Sequence, residues 1–190
     1  MLILISHPET FPKETALLNS MLGADNNFIF HLRKSGTGLV AFEQVLLEID
    51  PAFHPRIVIH QHHELAASYE LKGVHFTASD REKHLINGRA VSTSFHSLAE
   101  AEKYHKDFGY FFCSPVFPSI SKQGYQPTEK WDISQCEEDF RERAVALGGI
   151  TALNADQAKA KGFRHLAVLG AVWQSEDPQA ALAELIRKNS

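Results

Sequence analysis

The residues best equipped for chemistry stand directly after short apolar runs. Phe28-Ile29-Phe30 is followed by His31-Leu32-Arg33-Lys34, and Ile57-Val58-Ile59 by His60-Gln61-His62-His63. Further on come Ser92-Thr93-Ser94-Phe95-His96, then Ser114-Pro115 after Tyr110-Phe111-Phe112, and Gly148-Gly149 after Ala144-Val145-Ala146-Leu147. Guanidinium and ammonium groups pair with phosphate oxygens, and serine hydroxyls are small donors to the same atoms. Their recurrence at the same point of successive runs suggests a phosphorylated small molecule as ligand. Gly148-Gly149 and, about twenty residues later, Leu169-Gly170 add positions where backbone N–H groups can approach an anion closely. His60, His62 and His63 could hold a transition metal, but no further ligand stands at zinc-site spacing. The more ordinary reading makes His60 a ligand contact and gives the other two to the cap of the next helix.

Such residues need a scaffold that brings strand ends to one place. Counting Leu2 to Ile5, Val74-His75-Phe76, Ala90-Val91-Ser92 and Leu166-Ala167-Val168-Leu169, the apolar runs number eight. Most are continuous rather than alternating, as expected of parallel strands covered on both faces. Helical spacing of apolar residues fills 14–22, 38–49, 63–71, 97–106 and 178–188 between or after them. Strand-then-helix repeated eight times, without a G-x-G-x-x-G after the first strand, favours an α/β fold closed as a (β/α)8 barrel over an open doubly wound sheet. At 190 residues the chain falls below the roughly 200 usual for that barrel, so some helices must be short. Those around 80–86 and 134–143 are the expected ones. One domain spanning 1–190 is the reading, with residues 117–131 as its one long irregular stretch.

Composition narrows the partners. A net charge of -4 with no polybasic run disfavours nucleic acid and anionic membrane surfaces. No apolar stretch approaches the roughly 20 residues that span a bilayer, and the opening Met1-Leu2-Ile3-Leu4-Ile5 lacks a basic flank and a cleavage site, so it reads as a strand. Cys113 and Cys136 form no metal or redox spacing and fit a reducing cytoplasm, with Cys113 a small hydrophobe inside an apolar run. A homodimer is compatible with the sequence, which does not fix the oligomeric state.

Read in order, Phe30-His31-Leu32-Arg33, Leu65-Ala66, Gly73-Val74-His75, Ser94-Phe95-His96-Ser97, Ser114-Pro115-Val116-Phe117-Pro118-Ser119-Ile120-Ser121-Lys122 and Leu147-Gly148-Gly149-Ile150 resemble the successive landmarks of the thiamin phosphate synthase and thiazole tautomerase family. The resemblance runs from the first strand to the eighth. It implies a coupling of hydroxymethylpyrimidine pyrophosphate with a thiazole phosphate, with loss of pyrophosphate. Leaving-group charge would be met by Arg33, Lys34, Ser94, Lys122 and a magnesium ion. Ser119, Ser121, Gly149, Leu169 and Gly170 would meet phosphate, His31 and His60 would take positions of substrate-contacting amides, and Asp80 would be a metal carboxylate. The chain departs from the synthase pattern at Gln61, where a second metal carboxylate is usual, and at His31, where glutamine is usual. Loss of that carboxylate resembles the tautomerases, which isomerise a thiazole carboxylate phosphate by proton transfer; His96 matches their acid and base histidine.

Overall fold

The computed structural model describes residues 1–24, 27–84, 90–118 and 130–189. Eight strands, β1 (Leu2–Ile5), β2 (Phe28–Leu32), β3 (Ile57–Ile59), β4 (Gly73–Phe76), β5 (Ala90–Phe95), β6 (Tyr110–Cys113), β7 (Ala144–Leu147) and β8 (His165–Val168), pair in parallel and in chain order, and β8 closes on β1. Helices α1 (Glu14–Gly23), α2 (Leu39–Leu47), α3 (Leu65–Ser68), α4 (Ala78–His84), α5 (Leu98–Tyr104), α6 (Glu138–Arg143), α7 (Ala155–Ala160), α8 (Gly170–Trp173) and α9 (Pro178–Asn189) follow the strands.

The two faces of each strand have different neighbours. Leu2, Leu4, Phe28, Phe30, Ile57, Ile59, Phe95, Phe111, Leu166 and Val168 pack outward with apolar side chains of the helices such as Leu18, Phe42, Phe140 and Leu182. Ile3, Ile5, Tyr110, Phe112, Val145 and Ala167 pack together inside the barrel. The outer layer includes edge-to-face aromatic pairs, Phe111 with Phe140 at 4.9 Å and with Phe95 at 5.3 Å, a geometry that adds to simple area burial.

The helices are clipped, though not as the apolar spacing predicts. The stretch 63–71 forms only the four residues of α3, shorter than α4 or α6. His62 and Glu70 adopt positive φ values of 54° and 50°, and a left-handed residue on either side stops the helix from extending.

One buried ion pair ties the start of the chain to the second strand. The Lys34 ammonium is fully buried, 2.6 Å from the Glu14 carboxylate, and also donates to the carbonyls of His7 and Glu9. Removing one partner of such a pair strands the other charge. Lys34→Met should therefore lower unfolding stability by about 3–5 kcal/mol, and adding Glu14→Leu should restore most of it. Chemical denaturation of the single and double variants checks this; a single variant within 1 kcal/mol of the parent, roughly the scale of an exposed pair, would show the pair to be idle.

Candidate active site

A cavity of about 390 Å³ opens at the carboxyl ends of the strands, lined by groups from several of them: Arg33 after β2, His60 after β3, His75 on β4, Thr77 before α4, Ser94 on β5, His96 after it and Ser114 after β6. Convergence at this end follows from the parallel closure, since every strand delivers its last residues to the same mouth. Ile5, Phe112 and Leu147 make the apolar floor and wall.

Arg33 is exposed at the mouth while its backbone is pinned on both sides: its N–H donates to Ser6 Oγ at 2.9 Å and its carbonyl accepts from the same hydroxyl at 2.8 Å. Its guanidinium enters no ion pair among the described residues. Ser94 is held from behind, because the buried Arg81 donates to the Ser94 carbonyl at 3.1 Å, pairs with Glu100 at 2.7 Å and lies over the Phe95 ring. His96 donates through Nδ1 to the Ser114 carbonyl at 2.7 Å, which leaves Nε2 as the bare nitrogen of the neutral ring. Ser97, next in the chain, caps α5 by accepting from the Glu100 N–H.

Beneath these groups the barrel interior is polar on one side. His31 on β2, His60 after β3, His75 on β4, Ser92 on β5 and Tyr110 on β6 turn inward toward one another. Burial pushes the imidazole pKa values down, well below the usual histidine range for His31 and His60 and to about 3 for His75, with the Arg33 charge adding to the effect on the latter two. All three rings are neutral near pH 7. Burial likewise pushes the Tyr110 phenol up. These strand positions were missed as a site because His75 and Ser92 sit inside apolar runs. The signal was the spacing: a polar residue at every second position, His31, His75, Ser92 and Ser94, marks an inward row.

Several expectations change in three dimensions. Lys34 does not reach the cavity; its ammonium is consumed by Glu14 and two carbonyls, so it supplies no charge to a leaving group. His31 is not a direct substrate contact, being wholly buried and bonded through its two nitrogens to His60 at 2.8 Å and Tyr110 at 2.7 Å. His60, His62 and His63 do not gather: His62 bonds the Thr37 carbonyl and His63 packs its ring on Phe76. The histidines that do approach, within 4.8 Å through one nitrogen each, are His31, His60 and His75. His60 and His75 stack at 4.1 Å with 20° between planes, so their in-plane lone pairs run side by side and cannot converge on one ion. Cys113 is buried in the sheet and its thiol pKa is pushed up, as for an inert hydrophobe.

Gly149 serves packing. Its φ of 63° is left-handed, and a Cβ there would run into the Pro118 carbonyl oxygen and Phe117. The segment after β6 is drawn onto the end of β7 by Val116 and Phe117 N–H groups donating to the Leu147 and Gly148 carbonyls, and Asn154 clips the Gly149 carbonyl at 2.8 Å. Leu169 and Gly170 lie at the end of β8 where α8 begins. Ser119, Ser121 and Lys122 lie outside the described residues.

For magnesium, Asp80 stands in the first turn of α4, with one carboxylate oxygen accepting from Thr77 Oγ1 at 2.6 Å, and Thr77 lines the cavity. Gln61 is spent, its amide accepting from the Lys34 N–H and donating to the Lys34 carbonyl. This donor set fits an ion held by one carboxylate with the remaining sites filled by ligand oxygens and water, an arrangement magnesium commonly adopts.

The closed parallel sheet with its cavity at the carboxyl ends defines a (β/α)8 barrel with its site where that fold places one. A family model described as thiamine monophosphate synthase matches residues 4–172, and the chain belongs to that family. It is 30% identical over 173 residues to the thiamine-phosphate synthase of Lysinibacillus sphaericus, covering 78% of this chain and 76% of that protein. With the thiamine-phosphate synthase of Chlorobium luteolum it is 27% identical over 98% of this chain and 91% of the other. Among solved structures, the thiamine phosphate pyrophosphorylase of Bacteroides thetaiotaomicron superposes with a TM-score of 0.78 at 29% identity, covering 99% of this chain and 94% of that one. A 3-hexulose-6-phosphate synthase, 17% identical with a TM-score of 0.62, shares the fold.

Proposed function

We propose that the chain couples hydroxymethylpyrimidine pyrophosphate with a thiazole phosphate, forming thiamin phosphate and releasing pyrophosphate. The observation that carries this is the free Arg33 guanidinium at the mouth of a cavity whose walls, Ser94, His60 and Thr77, are neutral hydrogen-bonding groups. A reaction in which a charged group departs from a neutral ring needs that division. Arg33 meets the leaving oxygens, and no nucleophilic side chain is required. The N–H groups near Gly149 and Gly170 would receive the thiazole phosphate, and Lys122 with Ser119 and Ser121 would complete the anion site. Bound magnesium would supply charge to the pyrophosphate, with Asp80 as its protein ligand. The reading places the enzyme in the cytoplasm, where its two free cysteines stay reduced, as a monomer or homodimer.

A second reading, a thiazole tautomerase, is favoured by one observation: Gln61, at the usual place of a second metal carboxylate, is turned to the Lys34 backbone. His96 would then move the proton with its bare Nε2. Incubating the purified protein with both synthase substrates and magnesium, and following thiamin phosphate and pyrophosphate, decides between them. For the synthase, Asp80→Asn and chelation should each suppress pyrophosphate release at least about tenfold. Isomerisation that survives both changes and collapses in His96→Ala would replace the synthase reading by the tautomerase one.

A further inference from the structure

The inward polar residues form one continuous run, and both of its ends open on the cavity. Ser94 Oγ lies 3.1 Å from His75 Nε2, and His75 Nδ1 lies 2.9 Å from Ser92 Oγ. Ser92 is the hydrogen-bonding neighbour of the Tyr110 hydroxyl. Tyr110 Oη is 2.7 Å from His31 Nε2, and His31 Nδ1 is 2.8 Å from His60 Nε2. His60 and Ser94 line the cavity, whereas Ser92, Tyr110 and His31 do not. His60 Nδ1 ends the run and is not among the buried side-chain atoms without a partner, so it is open to the cavity side.

A neutral imidazole carries one N–H and one bare nitrogen, so it accepts on one side and donates on the other. Polarity therefore passes through each ring without choice, and the hydroxyls between them hand it on. Only two arrangements satisfy every link. In the first, Ser94 donates to His75, His75 to Ser92, Ser92 to Tyr110, Tyr110 to His31 and His31 to His60. All three rings are then Nδ1–H tautomers, His60 offers an N–H to the cavity and Ser94 offers an acceptor. In the second every bond is reversed, all three rings are Nε2–H tautomers, His60 presents a bare nitrogen and Ser94 a hydroxyl proton.

We infer that the Ser94, His75, Ser92, Tyr110, His31, His60 run is a two-state hydrogen-bond circuit that makes the cavity select a planar heterocycle whose edge bears one donor beside one acceptor, as an aminopyrimidine does. The inference rests on the proposed function in taking the cavity as the pyrimidine site. Whichever end accepts, the other donates, so an edge with two acceptors leaves one buried partner unsatisfied whichever way the circuit is set. Specificity is thus set partly by Tyr110 and His31, positioning residues that do not line the cavity.

Cutting the circuit at Tyr110 should change selectivity while both cavity-facing ends stay intact. In Tyr110→Phe the two halves orient independently, so His60 and Ser94 can both donate at once. The probes are 4-amino-5-hydroxymethyl-2-methylpyrimidine and its 4-methoxy analogue, whose edge has two acceptors, titrated calorimetrically into the full chain. The parent should prefer the amino compound at least about tenfold, and Tyr110→Phe should compress that ratio to about threefold or less by gaining affinity for the methoxy compound. A merely destabilised variant would lose affinity for both. A ratio unchanged in Tyr110→Phe overturns the circuit.

Nitrogen-15 NMR of the imidazoles in the ligand-free parent reads the circuit without any ligand. It should show His31, His60 and His75 as one common tautomer, and a mixed set would overturn the inference. Failure of both pyrimidines to bind the parent would instead overturn the ligand class, and with it the synthase reading, leaving a common tautomer as support for the circuit itself.

Discussion

Arg33→Met should reduce kcat/KM for the coupling reaction by about 10²–10³-fold while leaving the melting temperature within a degree or two of the parent. The size follows from what the side chain has to do. It is the one cation among the described residues lining the cavity, and charge develops on the departing pyrophosphate in a place where Ser94, His60 and Thr77 can offer only neutral hydrogen bonds. The absence of a stability cost follows from its exposure: the guanidinium pairs with no carboxylate among the described residues, and the two Ser6 bonds that fix the chain there use backbone atoms only. Arg33→Lys should recover part of the loss, because a point charge remains but the planar fork that binds two oxygens together does not. Steady-state kinetics with differential scanning calorimetry of the three proteins measures both halves. An activity loss under about threefold, or a loss that tracks a fall in melting temperature, would remove Arg33 from the reacting centre.

Acidification to pH 5 should cost the fold about 4 kcal/mol through His31 and His75 alone, each kept neutral by burial and losing about 1.4 kcal/mol per pH unit below the unfolded value near 6.5. In the unfolded chain an imidazole takes up a proton near pH 6.5; in the barrel His75 does so only at about 3, and His31 is also shifted well below its ordinary range. The unfolded state therefore binds more protons between those limits. The stability these groups allow is fully present above pH 6.5 and is lost as pH falls toward 3. Against a total of roughly 5–15 kcal/mol for a domain, this brings the protein to the edge of unfolding in mild acid. Urea denaturation at pH 7.5 and pH 5 gives the difference directly. His31→Gln, which keeps a hydrogen-bonding side chain and removes one titration, should flatten the dependence by about 2 kcal/mol over that interval. Equal stability at both pH values would show the interior histidines to be protonated or hydrated.

The two results would be linked. The Arg33 charge contributes to holding His60 and His75 neutral, so its removal should raise the pH at which His60 protonates even as it abolishes the reaction.

Much of the scaffold was legible along the chain because parallel strands covered on both faces leave a local record. The runs at Leu2, Phe28, Ile57, Val74, Ala90, Tyr110, Ala144 and Leu166 each became a strand, and the polar residues that close them came to one mouth. Arg33, Ser94, His96 and His60 were visible there because a strand end is a property of the sequence near it. Burial on both faces also hides information. With apolar residues on either side, a run such as Phe28-Ile29-Phe30 does not say which positions face helices and which face the barrel interior.

Only closure of the sheet made that distinction, and it converted His75, Ser92 and Tyr110 from strand residues into neighbours of His31 and His60. Lys34 shows the same limit from the other side. Its type and place fit a phosphate contact, yet β2 turned it toward a carboxylate twenty residues earlier. Sequence by itself determined the strand order, the helix-bearing segments and the mouth at which reactive groups collect, since hydrophobic period and strand-end chemistry are encoded over a few residues. Tertiary structure alone decided the partner each polar side chain meets, because those pairings join strands 17 to 79 residues apart, and burial there fixes whether a group is charged, paired or free to act.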